Sequence, residues 1–218
     1  MARQARAEAT RQRIIDTAVE LFINPGYGET GLAEILQRAD ITKGAFYYHF
    51  DSKEAVAAAI IDDTYRKIAE TAMAIVTSSS PALENIIRAT FAAADLMATD
   101  RTVAVGKLLA QSLTQVSDRG PKVFLDATAL FVAQAHEALA RGDLRVDVDV
   151  DDVGESIWAT VLGCYLLSDA IGDDVLARLA RGWRVLLGGI VRPESLPYFR
   201  DFVARTYQVY AHAPLTAQ

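Results

Sequence analysis

The chain has 218 residues, 51% of them hydrophobic and only six proline, enough for one good core and a smaller second module. Its apolar runs are short and broken by charge, which excludes a membrane-spanning helix. The basic opening MARQARAEATR leads into no apolar run, so it does not read as a secretory signal, and the lone Cys164 has no partner for an internal disulfide, as expected in a reducing cytoplasm. The net charge of −6 argues weakly against a nucleic-acid partner, but its distribution does not: residues 1–53 balance seven basic against seven acidic side chains, so the whole excess falls on 54–218. The first thirteen residues hold Arg3, Arg6, Arg11 and Arg13 against Glu8 alone, a basic tip suited to phosphate.

Helical periodicity runs through the chain. Ile14, Ala18, Leu21 and Phe22 fall on one helix face, and Asn24-Pro25-Gly26 stops that helix. Leu32, Ile35, Leu36 and Ala39 predict a second, shorter helix. Thr42 suits the cap of a third, which carries Phe46 and Phe50 one turn apart. Asp51 with Glu54 reads as a capping box for a long helix from Ser52 to about Val76. Ser78 to Pro81 is a loop. Further helices are expected at about 82–98, 102–116, 121–141, 151–171, 174–190 and 195–211. The segment Leu144–Val150 alternates like a strand; with no partner strand evident it reads as an extended lead-in, capped by Asp149 or Asp151. The fold class is all-α: a three-helix head over 1–52 and a larger helical body over 53–218.

The two short helices between Gly31 and Phe50 fit a helix-turn-helix. Leu32, Ile35, Leu36, Phe46 and Phe50 supply the apolar anchors that let the helices cross closely. Thr42, Lys43, Gly44, Tyr47, Tyr48 and His49 are left for the outer face. Lys43 offers a cation to phosphate or a guanine edge. Gly44 allows the backbone close to the groove. Tyr47 and His49 can donate to phosphate, and Tyr48 can touch a thymine methyl or a sugar. Lys53 is another phosphate candidate, with Arg3 and Arg6 at the tip. The ordinary alternative is an aromatic patch facing the core, and for His49 alone a structural histidine.

These residues carry a resemblance. The stretch IIDTAVELFINPGYGETGLAEILQRADITKGAFYYHFDSKEAV, with its core TKGAFYYHF-x-SKE, looks like the DNA-binding head of the TetR family of repressors. The family implies about ten helices, a homodimer, operator DNA as partner and a divergent C-terminal domain whose ligand changes the separation of two heads. Gly31 stands where the family often has Ser or Thr; Thr30 is the candidate substitute. The opening ARQARAEATR is similar to that of the γ-butyrolactone receptors, the branch that controls antibiotic production in actinobacteria. That branch carries a tryptophan on its seventh helix, where Ala127 stands here, and a threonine on its eighth, where Cys164 stands. The resemblance therefore implies a small lipophilic effector of butyrolactone, butenolide or furan type, or a pseudo-receptor answering to an antibiotic.

Helices expected to surround the effector carry Thr64, Met97, Leu108, Phe124, Phe131, Trp158, Leu162 and Tyr165, with Ala127, Gly163 and Cys164 leaving room; each could equally be plain core. Trp158 leads, because indole combines a broad apolar face with one donor. The helices at about 151–171 and 195–211 are the expected dimer surface. The aromatics of the last one, Tyr198, Phe199, Phe202, Tyr207 and Tyr210, need a partner or their own body to pack on. An enzyme is not expected: His49, His136 and His212 are scattered, and neither a Gly-rich phosphate loop nor a metal-ligand cluster appears. No cofactor is implied. A redox sensor built on Cys164 is the remaining alternative.

Overall fold

The computed structural model describes residues 2–112 and 120–212 and is all-α, with ten α-helices and no named strand among those residues. It divides into two compact units. One comprises Met1–Lys67 with Asp100–Gly120, the other Ile68–Thr99 with Pro121–Gln218.

The first unit starts with α1 (Ala2–Leu21), which buries Ile14, Ile15, Ala18 and Leu21. A π-type turn, Phe22–Gly26, ends it; Asn24 leaves the helical region and Gly26 takes φ 120°, a value that favours glycine. The short α2 (Leu32–Arg38) and α3 (Lys43–His49) follow, joined through Asp40 at φ 49°. Gly31 begins α2 without a side-chain cap, as its lack of a side chain requires. Thr42 caps α3 as expected, its Oγ1 accepting from the Ala45 N–H at 3.1 Å. Phe46 (0% exposed) and Phe50 (6%) point inward with Ile35, Leu21 and Phe22. A fully buried Phe such as Phe46 costs about 3–5 kcal/mol to truncate to Ala.

The long α4 (Lys53–Val76) is capped by Ser52 rather than Asp51: the Ser52 hydroxyl accepts from the Ala55 N–H at 3.2 Å. Its first half, through Val56, Ala57, Ile60 and Ile61, closes the head core. The core also takes Val105 and Leu109 from a later helix, labelled α6 (Arg101–Ser112). Asp100 fastens the start of that helix twice. One oxygen accepts from the Val103 N–H at 3.0 Å, the other from Lys67 Nζ at 2.7 Å.

The second unit is built round α5 (Ala82–Thr99), which is buried from Ala82 to Asn85 and, apart from Arg88, on to Ala94. Around it stand α7 (Gly120–Ala140), α8 (Val150–Ile171), α9 (Val175–Ile190) and α10 (Leu196–Ala211). The expected helices are found within a residue or two, except that residues 113–116 lie outside the described residues. Leu144 does find a partner: it bridges Val191 in antiparallel fashion. Asp149 and Asp174 cap α8 and α9, and Gly172 (φ 66°) ends α8. Thr90 ties three helices together. Its hydroxyl accepts from Trp183 Nε1 at 3.0 Å and its carbonyl from the Tyr165 hydroxyl at 2.8 Å. The aromatic face of α10 turns to its own unit, with Phe199 buried and Phe202, Tyr207 and Tyr210 packed against the core.

Candidate nucleic-acid interface and effector site

The candidate reading face rests on a contrast among the eight residues from Lys43 to Phe50. Because Phe46 in α3 and Phe50 at its C-cap point inward, the residues before and between them emerge elsewhere: Lys43 and Gly44 are exposed, as are Tyr47 (46%) and Tyr48 (72%). The patch is therefore not core. Lys43 Nζ lies 5.8 Å from the Tyr47 ring centroid, one turn on. The Tyr48 and His49 rings meet edge to face at 4.8 Å, and His49 is half-buried. A Cβ on Gly44 would meet nothing within 4 Å, so this end of α3 is open on the outside. Thr42 is exposed, and capping uses its oxygen as acceptor, which leaves its hydroxyl hydrogen to donate. The arrangement presents a cation, two phenols and an open helix start together, the chemistry that phosphates and base edges require.

Two expected contacts are placed otherwise. Thr30 is buried, and its hydroxyl is turned to the carbonyls of Gly26 (2.8 Å) and Leu21 (3.1 Å), so it faces no phosphate. Lys53 donates to the carbonyls of Tyr27 and Thr30, both at 2.9 Å; its amine closes the loop before α2. Arg6 is exposed on α1, and Arg3 shares the helix, its side chain lying outside the described residues.

The effector candidates separate in the same way. Thr64 and Leu108 belong to the first unit. Thr64 is buried, its hydroxyl placed against the carbonyls of Ile60 (2.9 Å) and Thr102 (3.3 Å), and is core rather than lining; Leu108 is half-exposed. Met97, Phe124, Ala127, Phe131, Trp158, Leu162, Cys164 and Tyr165 lie in the second unit. Three of them gather. Trp158 stacks on Phe131 at 5.4 Å and 21°, and its ring stands 6.4 Å from Phe124. Ala127 and Leu162 are partly buried on the same two helices, and Met97 is partly buried on α5. Phe124 is 43% exposed and Trp158 half-buried, so this cluster keeps apolar surface open. Tyr165 instead commits its hydroxyl to Thr90, and burial pushes its phenol well up. Cys164 is buried, and that burial raises its thiol above the ordinary value against the pull of Arg178 and Arg181. An enclosed thiol whose pKa is raised is less reactive than an exposed one, which weighs against that alternative. Trp183, missed in the sequence, is the fully buried tryptophan; its spacing with Leu179, Leu187 and Ile190 on α9 was the available signal.

Comparison with known proteins gives the same outline. Residues 14–60 match the family model of bacterial regulatory proteins of the tetR family, and residues 79–192 match that of the tetracyclin repressor-like C-terminal domain. The chain is 31% identical over 205 residues to the A-factor receptor protein of Streptomyces griseus, across 92% of this chain and 70% of the relative. Its fold is similar to a crystal structure of a γ-butyrolactone receptor (ArpA-like protein), with TM-score 0.73 and 30% identity over 94% of this chain and 99% of that one. CprB from Streptomyces coelicolor, solved in complex with its biological operator sequence, is similar at TM-score 0.72 and 31% identity, again over 94% and 99%. With both its head and the larger part of its body matched, the chain belongs to the TetR family of bacterial transcriptional regulators, which are not enzymes.

Proposed function

We propose that this protein is a cytoplasmic repressor that binds a pseudo-palindromic operator as a homodimer and is released by a small lipophilic molecule of butyrolactone, butenolide or furan type. The observation that carries the DNA part is the outward set Lys43, Gly44, Tyr47 and Tyr48 on α3, with Phe46 and Phe50 fixing their direction. Thr42 and His49 flank it. The DNA-reading part is assigned to 1–52, and effector binding and dimerisation to 53–218. Dimer formation is supported by apolar side chains left exposed on α8 and α9, Leu166, Leu167, Ile171 and Val185. A two-headed dimer sets half-site centres about one helical turn, ~34–36 Å, apart.

The effector part is supported by the open aromatic cluster of Trp158, Phe124 and Phe131, and by the similarity to receptors named for γ-butyrolactone and A-factor. No hydrogen bond engages the Trp158 indole among the described residues, so its N–H is free for a ligand carbonyl. Release from mostly bound to mostly free needs roughly 10⁴-fold preference of the effector for the DNA-free state.

The test is a titration of Lys43→Ala and Tyr47→Ala against a duplex selected by the wild-type protein from a random library, at several salt concentrations. Both variants should keep the wild-type melting temperature and bind at least ten-fold more weakly, and Lys43→Ala should lower the salt slope by about one unit per protomer. Wild-type binding by both would place the reading face elsewhere.

A further inference from the structure

The N-terminal part of α1 lies outside every core. The helix begins at Ala2, yet of residues 4–13 none is buried; the first is Ile14. At 1.5 Å per residue this free stretch is about 18 Å long. Arg3, Arg6, Thr10 and Arg13 recur at i, i+3, i+7 and i+10, one face of a helix. Glu8, the only acid before Asp16, falls roughly 200° round from Arg6, on the opposite side.

Among the described residues, no acidic side chain pairs with the arginines of this face. Arg6 and Arg13 are exposed, and neither makes an ion pair among the described residues. The first turn of α1 contains no acid, so the arginines there oppose the helix dipole instead of complementing it. Arg11 differs: partly buried, its guanidinium lies 5.2 Å over the Phe50 ring, just past the C-terminal end of α3. That contact brings the root of the free stretch beside the helix proposed to read DNA.

We infer that the exposed face of α1 carrying Arg6 and Arg13, extended by Arg3, is a second DNA contact that tracks the phosphate backbone flanking the operator. The inference rests on the proposed DNA-binding function. Charge complementarity selects the occupant: the exposed guanidiniums of Arg6 and Arg13 on one helix face, with the one nearby acid turned away, match the anions of a duplex strand. Laid parallel to the duplex axis, a stretch of ~18 Å runs alongside about five base-pair steps of 3.4 Å, with Arg6 and Arg13 meeting about two phosphates per protomer. It adds affinity without sequence preference.

The test compares the wild type with Arg6→Ala/Arg13→Ala and Arg6→Lys/Arg13→Lys on the selected duplex, once with ten-base-pair flanks and once trimmed to the half-sites. The alanine pair should lower the slope of log affinity against log salt by roughly two units per protomer. It should also bind long and trimmed duplexes equally, whereas the wild type prefers the long one by at least ten-fold. The lysine pair, which keeps the charges, should retain slope and preference. The melting temperature should not move, because neither side chain is buried. If the wild type binds the duplex and the alanine pair matches it in slope and flank preference, the α1 contact is refuted and the α3 assignment stands. If the wild type binds no duplex, both fall.

Discussion

The ammonium of Lys53 sits 4.2 Å from the centroid of the Tyr27 ring while donating to the Tyr27 carbonyl at 2.9 Å. A second bond, to the Thr30 carbonyl, lets one cation hold both ends of the loop that leads into α2. The Tyr27 ring packs edge to face on Phe22 at 5.0 Å, and its hydroxyl donates to Glu54. The loop that sets the direction of α2 is therefore fastened to the start of α4 by a residue whose charge suggests a phosphate contact. Lys53→Met should lower stability by about 1–3 kcal/mol, the cost of stranding partly buried carbonyls. It should leave the salt slope of DNA binding unchanged in the folded fraction. A normal melting temperature with a slope reduced by one unit would return Lys53 to the phosphate contacts.

Gly106 packs tightly against Thr64 in the first unit. A Cβ on Gly106 would lie 1.9 Å from Thr64 Oγ1 and 2.8 Å from its Cβ. Gly106→Ala should therefore destabilise by about 1–3 kcal/mol, as overpacking does. Thr64→Ala removes the nearest clashing atom and should restore part of that loss, giving a coupling of roughly 0.5–3 kcal/mol in a double-mutant cycle by urea unfolding. Additive losses would mean that the helices simply move apart.

Two aspartates predict opposite responses to acid. Burial raises the pKa of Asp100, but the Lys67 hydrogen bond and the Val103 N–H outweigh it and hold the carboxyl below its ordinary value. Its contribution is present above the unfolded-state pKa and lost as pH falls through the folded one. Asp143 is raised, first by burial and also by nearby Glu84, so its ionised form opposes folding. That penalty is absent below the unfolded pKa and complete above the folded one. Asp100→Asn should lower stability at neutral pH and flatten its fall in acid. Asp143→Asn should raise stability at neutral pH, with the gain vanishing in acid. Parallel pH curves for the wild type and both variants would refute the assignment.

The helices are legible in the sequence because most of them bury one face, and the spacing of Phe46 and Phe50 is enough to define the outer face of α3. Individual polar roles were not legible to the same degree. Thr30 and Lys53 look like DNA contacts from their types, yet the carbonyls they bond come from a loop whose path sequence spacing does not specify. Thr64 is buried against Gly106, forty-two residues on, a contact that sequence spacing does not specify. In the second unit, Phe131 and Trp158 are both candidates by residue type, but their stacking depends on how α7 meets α8. Trp183 does not stand out in the sequence, because a buried tryptophan bonded to Thr90 differs from a half-buried one only in its partners.

Those two tryptophans give the effector proposal its sharpest test. Trp183 is enclosed and its N–H satisfied, so its emission should be blue-shifted and insensitive to ligand. Trp158 is half-buried between Phe124 and Phe131 and should supply the red-shifted, responsive part. In Trp183→Phe, a panel of synthetic γ-butyrolactones, butenolides and furans should be screened for quenching of the remaining indole. The compound that quenches should also release the selected duplex from the wild-type protein. Trp158→Ala should then need at least ten-fold more of it for release, the equivalent of about 1.4 kcal/mol of lost contact. Its DNA affinity should stay within two-fold, because Trp158 belongs to a different compact unit from α3. If Trp158→Ala is released at the wild-type concentration, the aromatic cluster is ordinary packing and the effector binds elsewhere. If it loses DNA binding together with its cooperative melt, the volume-preserving Trp158→Phe should separate the two effects: it fills most of the space between Phe124 and Phe131 but removes the indole N–H, so it should retain DNA binding and release less readily.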